Sequence, residues 1–357
     1  MSVWNSRPRR RTAFVALALC AALTAAAGCG SNDDKGGSSS SGGNASTSGA
    51  GSTTHVKIRT AFVANGGDAP FFYAQKLGLY KREGVDVDIV DSKGSAQTIT
   101  DVNAGGSDFG EANATNVMLA AATGQKVIGV ASVVGKSSFA FFVPRDSGIT
   151  KPSQLKGHTI VATALVAPNM YAALAAAGLS KTDVKAVFAD ATALPTTYMS
   201  GKVDAMYGTA AYAAVVARRP SNLLLQSDFG YNPPDYALIT SSDTLNSNPD
   251  LVRGVTRATL AGFEAAKRDP QAAVDALLEK HPELDPAVAL GTLRAVIGFM
   301  CSSTQAGKPY GQNVPDDWAR TTSALKQFGG LRTDGDGSDF FTNQLFEGQD
   351  AINVGTC

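Results

Sequence analysis

Histidine, cysteine and tryptophan are scarce in this chain, with three, four and two residues in 357. His55, His158 and His281 lie far apart, and none has a neighbour at metal-ligand spacing, so no metal site is legible. The cysteines form no cluster, and there is no G-x-S-x-G elbow, phosphate loop or paired-carboxylate signature, which removes the motif-level grounds for an enzyme. The segment Asp334-Gly-Asp-Gly-Ser-Asp339 opens like a calcium loop, but Leu345 stands where the twelfth-position glutamate belongs, so it reads as an acidic surface turn. Lysine plus arginine number 31, as do aspartate plus glutamate; no basic excess is available to a nucleic-acid partner. After residue 27 no apolar run approaches the roughly twenty residues of a bilayer span.

What is present begins with Arg7, Arg9, Arg10 and Arg11, followed by the apolar run Ala13–Ala27 and then Gly28-Cys29. This is the basic, hydrophobic, small-residue order of a secretory signal. Ala26, Ala27 and Gly28 before Cys29 resemble a bacterial lipobox, with Ala26 where leucine is usual. Residues 1–28 therefore read as a signal peptide for the general export pathway and Cys29 as the lipidation site; the alternative is an ordinary signal cut near Ala27. The Gly/Ser/Thr/Asn tract over 29–54 is a flexible tether that would hang a folded domain from the outer face of the cell membrane. Losing residues 1–28 removes four arginines and no acid, leaving 27 basic against 31 acidic residues, a net of −4. It also removes Cys20. With Cys29 lipidated, Cys301 and Cys357 remain, and outside the cytoplasm two such cysteines are expected to pair.

The remaining three hundred or so residues suffice for two cores rather than one. Alternating or apolar strands are expected at 56–63, 85–90, near Phe109 and at 127–133, with helices from Pro70 to the Gly84 stop and over 116–123. A second set follows, with strands at 159–162, 184–188, 205–207 and 223–225 and helices near 169–177, 192–200 and 210–218. Strand and helix alternation without hairpin signals means mainly parallel sheets. The apolar run Phe139–Pro144 reads as a first crossing between lobes and 231–240 as the return, which assigns residues 55–142 and 236–357 to lobe 1 and 143–235 to lobe 2. Helices alone are expected after that, at 249–267, 270–280, 286–300 and 316–328, packed on the first lobe.

An internal echo supports two similar lobes. Aligning Asp108 with Asp204 pairs Gly105 with Gly201, Ala112 with Gly208 and Asn113 with Thr209. Each copy reads as helix, glycine stop, short strand after the aspartate, and a polar residue opening the next helix as an N-cap. Parallel sheets place ligands beyond the carboxyl ends of their strands, where those helices begin.

The stretches APFFYAQKLGLYKREGVDVDIV, GSAQ, GGSDFGEANA, KPSQLKGHTI, GKVDAMYG and NPDLVRGVTRATLAGFEAAKRDPQAAVDALLEKHPELD, in that order, resemble the substrate-binding proteins of ABC importers. More narrowly, they resemble the group related to the thiamine-pyrimidine synthase fold, whose members bind pyrimidine precursors, riboflavin, sulfonates, taurine or nitrate. The resemblance covers nearly all of 56–346, and the segments NPDLVRGVTRATLAGFEAAKRDP and VPDDWARTTSALKQFGGL tilt it toward the pyrimidine and flavin branch. It implies an α/β, two-lobed periplasmic-binding-protein fold of type II, with two mainly parallel sheets joined by two crossings. It also implies a cleft that closes on a solute and partners in a membrane permease and ATPase. The synthase relatives use their own histidine, a lysine-bound pyridoxal cofactor and a cysteine-rich cluster; no such cluster exists here, and neither catalysis nor a cofactor is expected. A ligand-sensing lipoprotein that partners a membrane receptor is the alternative of another class.

Helix N-termini carry unpaired N–H groups and partial positive charge, so the loops at Asn65, Gly94-Ser95-Ala96, Asn113–Asn116, Thr163 and Thr209 are the candidate site. Ser95, Asn113 and Thr115 are expected to hydrogen-bond the solute from the first lobe, facing Asn169, Asp190 and Tyr207. Phe71, Phe72 and Tyr207 would supply flat apolar walls. Each has a structural alternative: Asn113, Thr115 and Asp190 as helix caps, Phe71 and Phe72 as core. Glu111 stands where the second copy has Tyr207, directly after a strand. A carboxylate there, or at Asp190, repels an anion but accepts from an aminopyrimidine, which favours a neutral or cationic heterocycle over a sulfonate or nitrate.

Overall fold

The computed structural model describes residues 53–357. The signal segment, Cys29 and the tether as far as residue 52 lie outside the described residues. The first sheet holds β1 (Thr54–Arg59), β2 (Val85–Val90), β3 (Phe109–Asn113), β4 (Val127–Val134) and β10 (Tyr236–Ser241), in the order β2-β1-β3-β10-β4. The second holds β5 (Phe139–Pro144), β6 (Thr159–Ala162), β7 (Lys185–Phe188), β8 (Ala205–Thr209) and β9 (Ser221–Leu225), in the order β7-β6-β8-β5-β9. In each sheet one strand runs against the rest: β10 is antiparallel to β3 and β4, and β5 to β8 and β9. These are the strands that enter each lobe from the other.

That arrangement corrects the crossing positions. Phe139–Pro144 is buried along its whole length and is the strand between β8 and β9, so a lobe boundary at 142/143 would cut through it. A run that is apolar at every position is buried on both faces, as strands covered by helices are. The connections are the shorter stretches 135–138 and 226–235. The first strand also ends earlier than alternation suggests, at Arg59, because Thr60 turns the chain by donating its hydroxyl to the Phe62 carbonyl at 2.7 Å.

The internal echo is structural. The Asp108 carboxylate accepts the Lys57 N–H at 2.8 Å while its own N–H donates to the Lys57 carbonyl at 3.0 Å. Asp204 does the same to Thr159 at 2.7 and 3.0 Å. Gly105 and Gly201 end the preceding helices at φ 73 and 74°, a left-handed conformation that glycine adopts without strain.

The C-terminal helices open on prolines at Pro249, Pro270, Pro286 and Pro315, whose missing N–H would be unpaired there in any residue. Asp269 and Asp285 cap the second and third, accepting the Ala272 and Val288 N–H groups at 3.0 and 2.9 Å. Helix Pro249–Arg268 packs on helix Ala69–Lys76. Helix Pro315–Ala324 continues into a π-turn, Leu325–Gly329, which packs against helix Ala167–Ala176 of the second lobe. These helices therefore do more than brace the first lobe.

Cys301 and Cys357 are joined in a disulfide with Cα atoms 5.6 Å apart, pinning the C-terminus beside Lys308, whose carbonyl accepts the Cys357 N–H. Closing a loop of 56 residues is worth about 4 kcal/mol in the chain-entropy model. Replacing both cysteines by serine is expected to lower stability by about that amount, read from urea unfolding.

Candidate functional site

A cavity of about 1050 Å³ opens between the two sheets. Its walls from the first lobe are the loops 61–68 and 93–97 and the end of β3; from the second, 163–166, 188–195 and 207–215, with helix Pro286–Ile297 along one side. Helices Ser95–Asn103 and Ala114–Ala121 start at it, as the parallel topology requires.

Of the sequence candidates, Asn65, Ser95, Glu111, Asn113, Thr163, Asp190 and Tyr207 line this cavity, while Phe71, Phe72, Thr115 and Asn169 do not. Phe71 is fully buried and packs edge-on against Phe263, 5.4 Å between centroids. Phe72 lies in a neighbouring cluster against His281. Both belong to the core because helix Pro249–Arg268 and helix Pro270–Leu278 pack on the face of Ala69–Lys76 that carries them. Phe71→Ala is expected to cost about 3–5 kcal/mol in a urea melt, leaving the solute affinity of the folded fraction unchanged. Asn169 is buried, and its amide atoms have no partner among the described residues.

Asn113 reaches the cleft, but its side chain is already committed. Its Oδ1 accepts from the Thr115 N–H and hydroxyl, and its Nδ2 donates to the Asp235 carbonyl and Oδ1, both at 3.1 Å. Thr115 serves the same cap. In this structure both side chains fill the cap role that was their structural alternative, and Asn113 ties β3 to the return crossing. Ser95 Oγ accepts the Asn113 N–H at 3.1 Å. Asn65 closes a capping box with Asp68, whose Oδ2 accepts both the Asn65 N–H and Nδ2 at 2.8 Å. Tyr207 is fully buried in the cleft floor, stacked on Phe139 at 5.3 Å and donating its hydroxyl to Gln226.

Asn116, in the candidate loop 113–116, lines the cavity and is buried. Two acids carried no such signal in the sequence: Asp68 lines the cavity and is buried, and Asp235 lies buried behind Asn113, its Oδ2 accepting the Ser138 N–H at 2.8 Å. Burial, followed by the charge of Asp235, pushes the Glu111 carboxyl up to about 8, although it accepts the Ala61 N–H. Burial alone raises Asp235 to about 7, against the pull of its bonds to Ser138 and Asn113. Asp68 is also raised, by burial and then by Glu111. The second-lobe wall is largely apolar beside Asp190: Leu165, Phe188 and Val215 line the cavity while more than a third exposed, Phe188 at 48%. Phe62, Tyr212 and Tyr236 add aromatic surface. Lys93, at the exposed rim, is the one cation among the described lining residues.

The lobes touch at one mouth of the cleft, where Gly291 on helix Pro286–Ile297 meets Ala214; a Cβ on Gly291 would lie 3.3 Å from that of Ala214. Gly66 allows the same helix to approach the first loop, since a Cβ there would fall 1.9 Å from the Ala289 carbonyl oxygen.

Comparison with known proteins adds four findings. The family model described as NMT1/THI5 like matches residues 65–273. The riboflavin-binding protein RibY of Chloroflexus aurantiacus is 27% identical over 307 residues, covering 82% of this chain and 86% of that protein. Among solved structures, the alkanesulfonate-binding protein SsuA from Xanthomonas axonopodis pv. citri, bound to MOPS, superposes with a TM-score of 0.63 at 17% identity, over 81% of this chain and 98% of that one. The periplasmic nitrate-binding protein NrtA from Synechocystis does so with a TM-score of 0.55 at 12% identity, over 72% of each chain. These structural likenesses show the fold, the two-lobed one of periplasmic binding proteins.

Proposed function

Since the chain belongs to the NMT1/THI5-like family, we propose that it is an extracytoplasmic solute-binding lipoprotein that captures a small heteroaromatic compound between its lobes and delivers it to an ABC importer. The observation that carries this reading is the composition of the cleft. One side offers buried carboxyl groups and the other exposed apolar and aromatic side chains, the pairing that suits a flat ring with polar edges. The name of the RibY relative points the same way. Sulfonate and nitrate binders share the fold, but among the described residues lining this cavity Lys93, at the exposed rim, is the one cation, so an anion would find little counter-charge inside. The tether and Cys29 would anchor the protein at the membrane, where permease and ATPase subunits are its partners and the protein acts as a monomer. The moving bodies would be β1–β4 with residues 236–357, and β5–β9.

A thermal-shift panel tests this. Riboflavin, thiamine and hydroxymethyl-aminopyrimidine are compared with taurine, longer alkanesulfonates and nitrate. At a hundredfold excess over Kd a bound solute stabilises by about 2.7 kcal/mol, and a rise is expected from heteroaromatic compounds alone. A rise from the anions alone would sink the proposed solute class. Loss of uptake of the same compound when the gene is deleted distinguishes transport from sensing.

A further inference from the structure

We propose that the cleft selects a solute with a cationic or amino-bearing edge, held by Glu111 and Asp68 as carboxylates, and that its capture expels a proton into solution. This rests on the solute-binding reading above and adds the charge of the solute and a proton linkage to it.

Glu111, on β3, and Asp68, at the start of helix Ala69–Lys76, share the same cavity wall and act on one another. Asp235, leading into β10, acts on Glu111 from behind. Asp91 acts on Asp68 from the end of β2. The remaining titratable groups against this cluster are Tyr207, Tyr236 and Tyr310, all held neutral by burial. His281 stays outside it, paired with Asp91 at 4.0 Å and Glu283 at 3.1 Å. Lys93, at the exposed rim, is the one cation among the described residues lining this cavity. Neighbouring buried carboxyls with no cation among them cannot all ionise at low cost, so burial favours the protonated form of Glu111 at neutral pH.

A second, independent feature points to a hydrogen-bond donor from the solute. Asn116 is 3% exposed and lines the same cavity, yet its Oδ1 has no hydrogen-bond partner among the described residues. A buried acceptor left unpaired is costly, and a donor edge lying between Asn116, Glu111 and Asp68 satisfies all three. When that edge carries positive charge, it supplies the missing counter-ion. The carboxyl then ionises, its proton passes to the buffer, and the complex holds cation and carboxylate together.

The experiment is calorimetric titration of the purified protein with thiamine, a cation carrying an aminopyrimidine, and with riboflavin, a neutral heteroaromatic. Both are run at pH 6.5 in two buffers of different ionisation heat, then across pH 6–9. Thiamine binding is expected to release about one proton at pH 6.5, and its affinity to rise about tenfold per pH unit before levelling above pH 8. Glu111→Gln is expected to abolish the release and flatten the profile while the variant melts as a folded protein; Asp68→Asn, as a second variant, is expected to reduce both. Riboflavin binding without proton release, with thiamine rejected, overturns the inference and leaves the solute-binding reading standing. Binding of taurine or nitrate alone overturns both.

Discussion

Raising the pH from about 5 to about 9 is expected to destabilise the ligand-free protein by several kcal/mol, the reverse of ordinary acid denaturation. Glu111 at about 8 and Asp235 at about 7, with Asp68 also raised, titrate in the native state well above their unfolded values. Between about pH 5 and 8 the native protein therefore binds more protons than the unfolded chain, and stability must fall as pH rises. The favourable term is fully present below the unfolded pKa values and is lost as the pH passes through 7 and 8. Each unit of displacement is worth about 1.4 kcal/mol, so two groups displaced by several units outweigh surface ion pairs, which contribute about 0–1 kcal/mol each. Urea unfolding at pH 5.5, 7 and 8.5 measures the slope. Glu111→Gln, which keeps the shape without the charge, is expected to reduce it and to be more stable than wild type at pH 8.5. A profile that rises toward pH 8.5 would show that these carboxyls have counter-charges.

Gly291→Trp is expected to weaken solute binding by about a hundredfold, or roughly 2.7 kcal/mol, with little loss of stability. Helix Pro286–Ile297 and residues 212–215 come together at this mouth of the cleft, and Gly291 leaves just enough room for Ala214. An indole there has nowhere to lie unless the lobes stay apart. A solute touched by both lobes then loses one set of contacts, and the closed population that it selects is penalised. Each lobe keeps its own core, so the urea midpoint is expected to stay within the range of surface substitutions, about 0.5 kcal/mol. Titration of the variant and of Ala214→Gly, the cavity-neutral control, gives the comparison; equal affinities for Gly291→Trp and wild type would remove closure from the mechanism.

Much of the architecture is legible in the chain because it rests on local rules. Proline at the helix starts, glycine in left-handed stops and the paired Asp108 and Asp204 each declare themselves within a few residues. Phe139–Pro144 was open to misreading because a run apolar on both faces has no period: only the sheet formed around it makes it a strand. Phe71 and Phe72 present the same ambiguity. Their spacing marks a helix, but which side faces the cleft is decided by helix Pro249–Arg268, almost two hundred residues later. Glu111 was visible through its place in the repeat. Asp68 and Asp235 were not, since an acid before a helix or a strand looks like a cap or a loop residue. What distinguishes them is mutual proximity and burial, which arise when the return crossing brings 235 against 111 and 113. Asn113 shows the converse: the residue was legible, but its full commitment to Asp235 and Thr115 was not.

The central claim is that one solute is held by both lobes at once. Hydrogen exchange of backbone amides, with and without a saturating amount of whichever compound raises the melting temperature, tests it most directly. Protection is predicted in both 61–68 and 111–116 of the first lobe and 163–166 and 190–195 of the second, with the outer faces of both sheets unchanged. Protection confined to one lobe, or lying away from the cleft, would contradict the account.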